Sequence, residues 1–216
     1  MGRPPRALLT REQIAATALE LLDQEGPSGL GMRRLARRMG VQAPSLYHHV
    51  SGQEEIIDLV HELVDNEIDI STLVDPDWRR GLNLFARSYR RAFLRHPHAV
   101  ALVTRRTIHA DNVLALYDSV AALLLRAGMP APQTLPTLAA IDFIVLGSTV
   151  DDFDAGFGDF GEDLRRDYPH LAGALDATDR ETVNDRAFEA ALELLLDDIA
   201  ARLDLAAARP VVTRSR

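Results

Sequence analysis

The sequence contains no cysteine and no lysine among its 216 residues. Without cysteine it can form no disulfide framework and no thiolate nucleophile, and most zinc-finger chemistry is excluded. Without lysine there is no amine for a Schiff base and no lysine for a P-loop, since all 24 basic residues are arginine. Several enzyme classes are therefore excluded. The exclusive use of arginine is not evidence for phosphate binding, because a GC-rich coding bias produces the same composition.

A long apolar run is also missing. No stretch of about 18 apolar residues occurs, and the first residues, MGRPPRALLTREQ, lack the apolar segment of a secretory signal. We therefore expect a cytoplasmic protein with no membrane partner. The chain is 47% apolar, which is ample for a buried core.

Charge is distributed unevenly along the chain. Residues 1–50 contain seven arginines and four acidic residues, a net charge of +3, so the remainder must carry −11 to give the total of −8. One end of the protein is therefore suited to approach DNA, whereas the rest would be repelled by it.

Helical signals begin near the N-terminus. Thr10 and Gln13 form a T-x-x-Q capping box, which predicts a helix over 11–25 that ends at Gly26. A short helix over 32–39 with arginines on its outer side follows. A third helix of about two turns is predicted next, with Pro44 in its first turn.

The third helix combines two apolar anchors with polar side chains. Leu46 and Val50, spaced i and i+4, would hold its inner face against the first two helices. The side chains directed largely outward would be Pro44, Ser45, Tyr47, His48 and His49.

The rest of the chain continues the helical pattern. Ser51 and Glu54 suggest a second capping box at the start of a longer helix, and Asp75-Pro76-Asp77 marks a boundary. Helices are then predicted near 77–95, 111–127, 134–152 and 184–207, with a glycine-rich break at 154–161. The segment 134–152 is apolar on most sides, which favours burial against something beyond its chain neighbours.

The pattern predicts an all-α protein. Its expected parts are an N-terminal arm (1–9), a three-helix unit with a helix-turn-helix (10–52), a connecting helix and linker (53–75), a larger helical domain (76–208) and a tail (209–216).

The run GLGMRRLARRMGVQAPSLYHHVSGQEEIIDLV resembles the DNA-binding domain of the TetR (tetracycline repressor) family. The specific marks are Leu35-Ala36, Gly40-Val41 and Leu46-Tyr47, and the resemblance covers about residues 10–65. The segments DPDWRRGL, SYRRAFLRHPH and LGSTVDDF extend it, more loosely, over the second domain. The resemblance implies a homodimeric, DNA-binding regulator, most simply a repressor of a palindromic operator, that is not an enzyme and needs no cofactor. Its C-terminal helices would form both the dimer interface and a pocket for a small-molecule effector.

Carried over residue by residue, the resemblance implies two kinds of DNA contact. Arg33, Pro44, Ser45 and His48 would face bases, whereas Tyr47 and His49, with Ser45, would hold phosphates. Arg37 and Arg38 are expected to be solvated. Position 53, where the family commonly has a lysine, is Gln53, so the electrostatic grip on DNA is expected to be weaker than usual.

Other departures concern operator and effector. Ala43 stands where the subgroup often has a polar base reader, so the operator should differ from the tetracycline operator. Val103 stands where the tetracycline repressor has a magnesium-binding histidine, which argues against magnesium-tetracycline as the effector. The remaining pocket positions implied by the resemblance are Asp69, Phe85, Tyr89, Arg106, Ser119, Phe143 and Asp151. Such a pocket would suit a small, mostly apolar or aromatic molecule with one or two polar groups.

Several alternatives stay open at this point. The aromatic residues could be plain core, and GRPPR could be either a minor-groove arm or a disordered tail. His96, His98 and His109 could suggest a metal site, but they lack a placed carboxylate partner, so no metal site is predicted. A helical binding protein or enzyme using the C-terminal cavity, or a module that contacts protein, would differ from a regulator by lacking salt-dependent DNA binding.

Overall fold

The computed structural model describes residues 9–103, 111–150 and 161–208, without the side chains of Val103 and Leu164. Helices follow one another with no strand in these ranges: α1 Arg11–Glu25, α2 Met32–Arg38, α3 Ala43–Leu46, α4 Gln53–Asp65, α5 Trp78–Arg95, α6 Pro97–Val103, α7 Asp111–Arg126, α8 Ala131–Val150, α9 Glu162–Asp167, α10 Pro169–Asp176 and α11 Val183–Ala207. Short 3-10 helices occupy Pro27–Gly29, Ile70–Val74 and Arg180–Thr182. The predicted all-α fold is confirmed. The predicted glycine-rich break at 154–161 lies almost entirely outside the described residues.

The start and end of α1 agree with the predicted signals. The Gln13 N–H donates to the Thr10 hydroxyl at 3.2 Å, and the Thr10 N–H donates to the Gln13 side-chain oxygen at 3.2 Å. Gly26 ends the helix with φ 69°, a left-handed conformation that favours glycine. Between these ends, Ile14, Ala18 and Leu22 are fully buried.

The second predicted capping box is wrong. Helix α4 begins at Gln53, and its N-cap residue is Gly52, which has no side chain to accept a hydrogen bond. The Ser51 N–H instead donates to the carboxylate of Glu55 at 2.6 Å. This hydrogen bond is the main reason why the pKa of Glu55 lies below its ordinary value.

The chain divides into two compact units. The first contains the described parts of Met1–Asp69 and Arg91–Leu116, and the second contains those of Ile70–Arg90 and Tyr117–Arg216. The predicted boundary near residue 75 assigns 91–116 to the second domain, and the described parts of this segment group with the N-terminal helices.

Helix α6 explains part of this difference. Helix α5 ends at Arg95, as predicted, and α6 begins at Pro97, because proline is favourable in the first turn of a helix. Helix α6 packs on α1 and α4. Just before it, the two ring nitrogens of His96 lie 2.8 Å from Asp23 and 3.2 Å from Glu67.

In the second unit, ion pairs join α5 to α11. Arg90 is 8% exposed and donates to Asp185 at 2.7 Å and to the Ser148 hydroxyl of α8 at 3.1 Å. Its guanidinium carbon lies 4.6 Å from the centre of the Phe188 ring. Further along α5, the pairs are Arg87 with Glu189 and Arg79 with both Glu193 and Asp197. These contacts hold α5, α8 and α11 together.

The residues from Ala43 to Val50 are here called the recognition segment. Two buried side chains hold its inner face, and a hydrogen bond from Arg11 holds its C-terminal end. Helix α3 is shorter than the two turns predicted, because Tyr47 to His49 form turns. The two predicted anchors are confirmed: Leu46 is 0% exposed and Val50 is 2% exposed. At the end of the segment, the Arg11 guanidinium donates to the His49 carbonyl at 2.9 Å and forms an ion pair with Glu55.

We expect Arg11→Gln to lower the free energy of unfolding at neutral pH by roughly 0.2–1 kcal/mol, the range for an exposed ion pair. Because the pKa of Glu55 is depressed in the folded state, this contribution is fully present above the ordinary pKa of glutamate. It is lost as the pH falls through the lowered value, so the difference from the parent should shrink in strong acid. Urea unfolding of both proteins at neutral pH and in strong acid measures this difference in the free energy of unfolding. An equal difference under the two conditions would show that the ion pair contributes nothing.

Candidate nucleic-acid interface

Helices α2 and α3 are joined by a tight turn. Leu35 and Ala36 of α2 are buried, and Gly40 adopts φ 66° just after the helix. The Val41 N–H donates back to the Ala36 carbonyl at 3.0 Å, which closes the end of α2. With its two short helices and glycine turn, this segment has the geometry of a helix-turn-helix.

The recognition segment presents its polar side chains outward. Pro44, Tyr47 and His48 are exposed, and Ser45 and His49 are half-buried. Tyr47 is 55% exposed although it is a large aromatic residue. The structure therefore brings five of the six predicted DNA-binding residues onto one short segment.

The sixth predicted residue, Arg33, lies on α2, where the four arginines form two pairs of different character. Arg34 forms an ion pair with Glu25 at 2.8 Å and donates to the Ser28 carbonyl at 3.2 Å, and Arg38 lies 3.6 Å from Glu20. Both therefore face α1. Arg33 and Arg37 are exposed and have no hydrogen bond or ion pair within the described parts of the chain.

This pairing decides where positive charge is available. Glu20 and Glu25 of α1 neutralise the two arginines that face them, and Asp23 contacts His96. The charge that remains for an outside partner lies on the flank of α2 turned away from α1. We call Arg33 and Arg37 the basic flank.

The predicted effector site is only partly assembled in the second unit. Phe85 is 1% exposed and Tyr89 is 5% exposed, and their ring centres are 5.8 Å apart with an interplanar angle of 49°. This tilted arrangement is a favourable one for aromatic pairs. The structure thus brings these two predicted residues together on α5.

Two polar residues near this pair were missed by the sequence analysis. Asp142 of α8 accepts a hydrogen bond from the Tyr117 hydroxyl of α7 at 2.7 Å and another from Tyr89. Burial raises the pKa of Asp142 above its ordinary value, although both tyrosines oppose this shift. The available signal was a single acidic residue within the apolar run AAIDFIVLG.

Phe143, another predicted effector residue, lies apart from this group. Phe143 is 77% exposed on α8, so its ring points away from the buried face that carries Val145 and Ile141. Ser119 is half-buried on α7. Arg106 and Asp151 lie outside the described residues, as does the side chain of Val103.

No group of three or more His, Asp or Glu side chains that could hold a metal ion occurs within residues 9–103, 111–150 and 161–208. The expectation that these histidines lack a carboxylate partner is wrong for His96, which lies between the carboxylates of Asp23 and Glu67. His109, the third histidine considered in the sequence analysis, lies outside the described residues.

Comparison with known proteins agrees with this geometry. Residues 14–60 match the family model "Bacterial regulatory proteins, tetR family", and residues 73–203 match "Tetracyclin repressor-like, C-terminal domain". An HTH-type transcriptional regulator of Saccharopolyspora erythraea is 36% identical over 182 residues, which cover 80% of this chain and 77% of that protein.

The class A tetracycline repressor from transposon 1721 of Escherichia coli is 32% identical over 196 residues, or 88% of this chain and 89% of that protein. Among solved structures, the TetR family protein ActR of Streptomyces coelicolor in complex with actinorhodin superposes with a TM-score of 0.76 at 27% identity, covering 90% of this chain and 97% of that one. With the helix-turn-helix in place and both family models matched, this chain belongs to the TetR family of bacterial transcriptional regulators.

Proposed function

We propose that this protein binds a palindromic operator as a homodimer, represses transcription there, and is released by a small, mostly apolar or aromatic effector. The observation that carries the proposal is the recognition segment, whose polar side chains point outward while Leu46 and Val50 are buried beneath it. Arg33, which has no partner within the described residues, adds a cation beside it.

The side chains of this surface match DNA chemistry. Arginine can donate two hydrogen bonds to guanine O6 and N7, and the Ser45 hydroxyl can pair with either base type. Pro44 and the His48 ring can lie against a thymine methyl group. The Tyr47 hydroxyl and the His49 imidazole can bond phosphate oxygens, which fixes position without reading sequence.

The homodimer is supported by the outer faces of α8 and α11. Three large apolar residues of α8 are more than half exposed, Leu135 at 74%, Phe143 at 77% and Val150 at 62%, and Leu194 and Leu205 of α11 are similarly exposed. A groove of about 370 Å³ runs between the two helices, lined by residues that include Gly147, Ala187 and Phe188. Monomeric soluble proteins rarely expose large contiguous apolar patches, so we assign this face to a second copy of the chain.

Helix α8 needs this partner for a second reason. Among the described helices, α8 is the one that is long and apolar enough to cross a membrane, with a mean hydropathy of 1.3 over its most apolar 18 residues. Only 33% of these residues are buried within one chain. A single such helix is weak evidence for a membrane span, since core helices of globular proteins meet the same criterion. Burial in a dimer accounts for the apolar composition that the sequence analysis noted.

Support for the effector class comes from the second unit. Phe85 and Tyr89 are buried aromatic residues, and Tyr89 donates to Asp142, an acidic group with no cationic partner among the described residues. The solved complex of ActR holds actinorhodin, and several curated relatives are named tetracycline repressors. A molecule with fused or substituted aromatic rings and a hydrogen-bonding group would fit this chemistry.

Selection from random duplex DNA with the purified protein tests the proposal. We expect enrichment of an approximate palindrome, with affinity that falls steeply as salt rises because neutralised phosphates release counterions. If no sequence is enriched and binding does not depend on salt, the DNA-binding role is wrong, and the C-terminal cavity becomes the working site.

Two substitutions should separate base reading from phosphate binding. Arg33→Ala should relax the preference at one base position of each half-site, at a cost of about 1–3 kcal/mol per contact on the preferred sequence. Tyr47→Phe should weaken binding to all sequences by a similar factor, because phosphate contacts carry no sequence information. Affinities for a panel of single-base operator variants measure both effects, and equal losses across the panel for both variants would contradict the assigned roles.

A third substitution tests the buried acid. The pKa of Asp142 is higher in the folded protein than in the unfolded chain. Below the ordinary pKa of aspartate the carboxyl is protonated in both states, so this difference has no effect on stability. As the pH rises from the ordinary pKa through the raised one, the free energy of unfolding decreases. Asp142→Asn keeps an acceptor oxygen for Tyr117 and Tyr89 but cannot ionise, so its stability should lack this decline. Urea unfolding from acidic to neutral pH compares the two proteins, and parallel curves would show that Asp142 is not destabilised by burial.

A further inference from the structure

We propose that Arg37 is a second DNA-contacting arginine of α2, one that binds the phosphate backbone beside the base contact of Arg33. This inference rests on the proposed operator binding and assigns a role to a residue that the sequence analysis left as merely solvated. The geometry that points to it is the division of the four α2 arginines into a flank paired with α1 and an unpaired basic flank.

Helical spacing sets the direction of the side chain. Arg33 and Arg37 are four residues apart and lie on the same side of α2, whereas Arg34 and Arg38 occupy the side that contacts α1. Since Leu35 and Ala36 fill the inner face of the helix, the basic flank is on the side that α1 does not cover. A cation on this flank is therefore available to a ligand outside the protein.

Helical rise sets the position of the contact. Four residues advance about 6 Å along a helix axis. In a helix-turn-helix the first helix crosses the DNA backbone while the second enters the major groove. If Arg33 at the start of α2 reaches a base edge, Arg37 lies one turn further along, over the rim of the groove where phosphates line the backbone.

The charge balance of the unit explains why this contact matters. The acidic residues of α1 already neutralise Arg34 and Arg38, and Arg11 is occupied by Glu55 and the His49 carbonyl. Gln53, which is exposed at the start of α4, carries no charge. Arg37 would supply a phosphate-binding cation that Gln53 does not.

The test compares matched variants that each remove one positive charge from α2. Arg37→Gln removes the unpaired arginine, and Arg38→Gln removes its neighbour, which lies 3.6 Å from Glu20. The probes are the duplex enriched by selection and a random-sequence duplex of equal length, titrated between 50 mM and 200 mM salt.

A lost phosphate contact has a defined signature. Each neutralised phosphate contributes about −0.9 to the slope of log affinity against log salt, so the two copies of Arg37 in a dimer should account for about 1.8. The advantage of the parent over Arg37→Gln should therefore shrink by roughly tenfold between the two salt concentrations, on both duplexes alike. Arg38→Gln should change the slope far less, and Arg37→Lys should restore it.

Three outcomes would overturn the inference. The first is that Arg37→Gln has the same slope of log affinity against log salt as the parent. The second is that Arg38→Gln changes this slope as much as Arg37→Gln does, which would indicate a diffuse charge effect and no contact. The third is a melting temperature of Arg37→Gln clearly below that of Arg38→Gln, which would indicate a structural role. If the parent itself binds no duplex in a salt-dependent way, operator binding fails, and this result is distinct from failure of the Arg37 contact alone.

Discussion

The recognition segment depends on the burial of Leu46 and Val50. A helix as short as Ala43–Leu46 cannot persist alone, since isolated helices below about 12 residues are marginal in water. Leu46 is 0% exposed and Val50 is 2% exposed, so the two side chains supply the packing that the backbone cannot. Losing a buried leucine side chain costs about 2–5 kcal/mol, a large share of the about 5–15 kcal/mol that holds a domain together. With the inner positions taken by these anchors, Pro44, Tyr47 and His48 stay exposed for the proposed contacts with DNA.

A second constraint is electrostatic, because the protein as a whole carries a charge of −8. Its approach to DNA depends on where the few available cations are, and α1 decides this. By pairing Glu20 and Glu25 with Arg38 and Arg34, α1 fixes one side of α2 and leaves the other side positive. Arg11 likewise neutralises Glu55 beside the recognition segment. The same carboxylates that position the helices therefore define which face of the unit a polyanion can approach.

Local signals in the sequence predicted much of the fold. The Thr10 capping box, the apolar periodicities and the glycine stops gave the bounds of α1, α5, α7 and α11 to within one or two residues. What they missed depends on contacts between distant residues. The pairing of Arg34 with Glu25, the bond from Tyr117 to Asp142 and the packing of α6 on α1 and α4 have no local pattern. The predicted capping box of Ser51 and Glu54 was wrong because Glu54 and Glu55 are adjacent, and the position of the helix start determines which of them can accept from the Ser51 N–H. The helix starts at Gln53, and the acceptor is Glu55.

The central claim is that two recognition segments read successive major grooves of one operator. Hydroxyl-radical footprinting of the protein on its selected duplex tests this most directly. The account predicts two protected regions related by a dyad, with centres one helical turn apart, about 34–36 Å or 10–10.5 base pairs. A single protected region without a dyad, or protection at a spacing that is not a multiple of the helical turn, would contradict it.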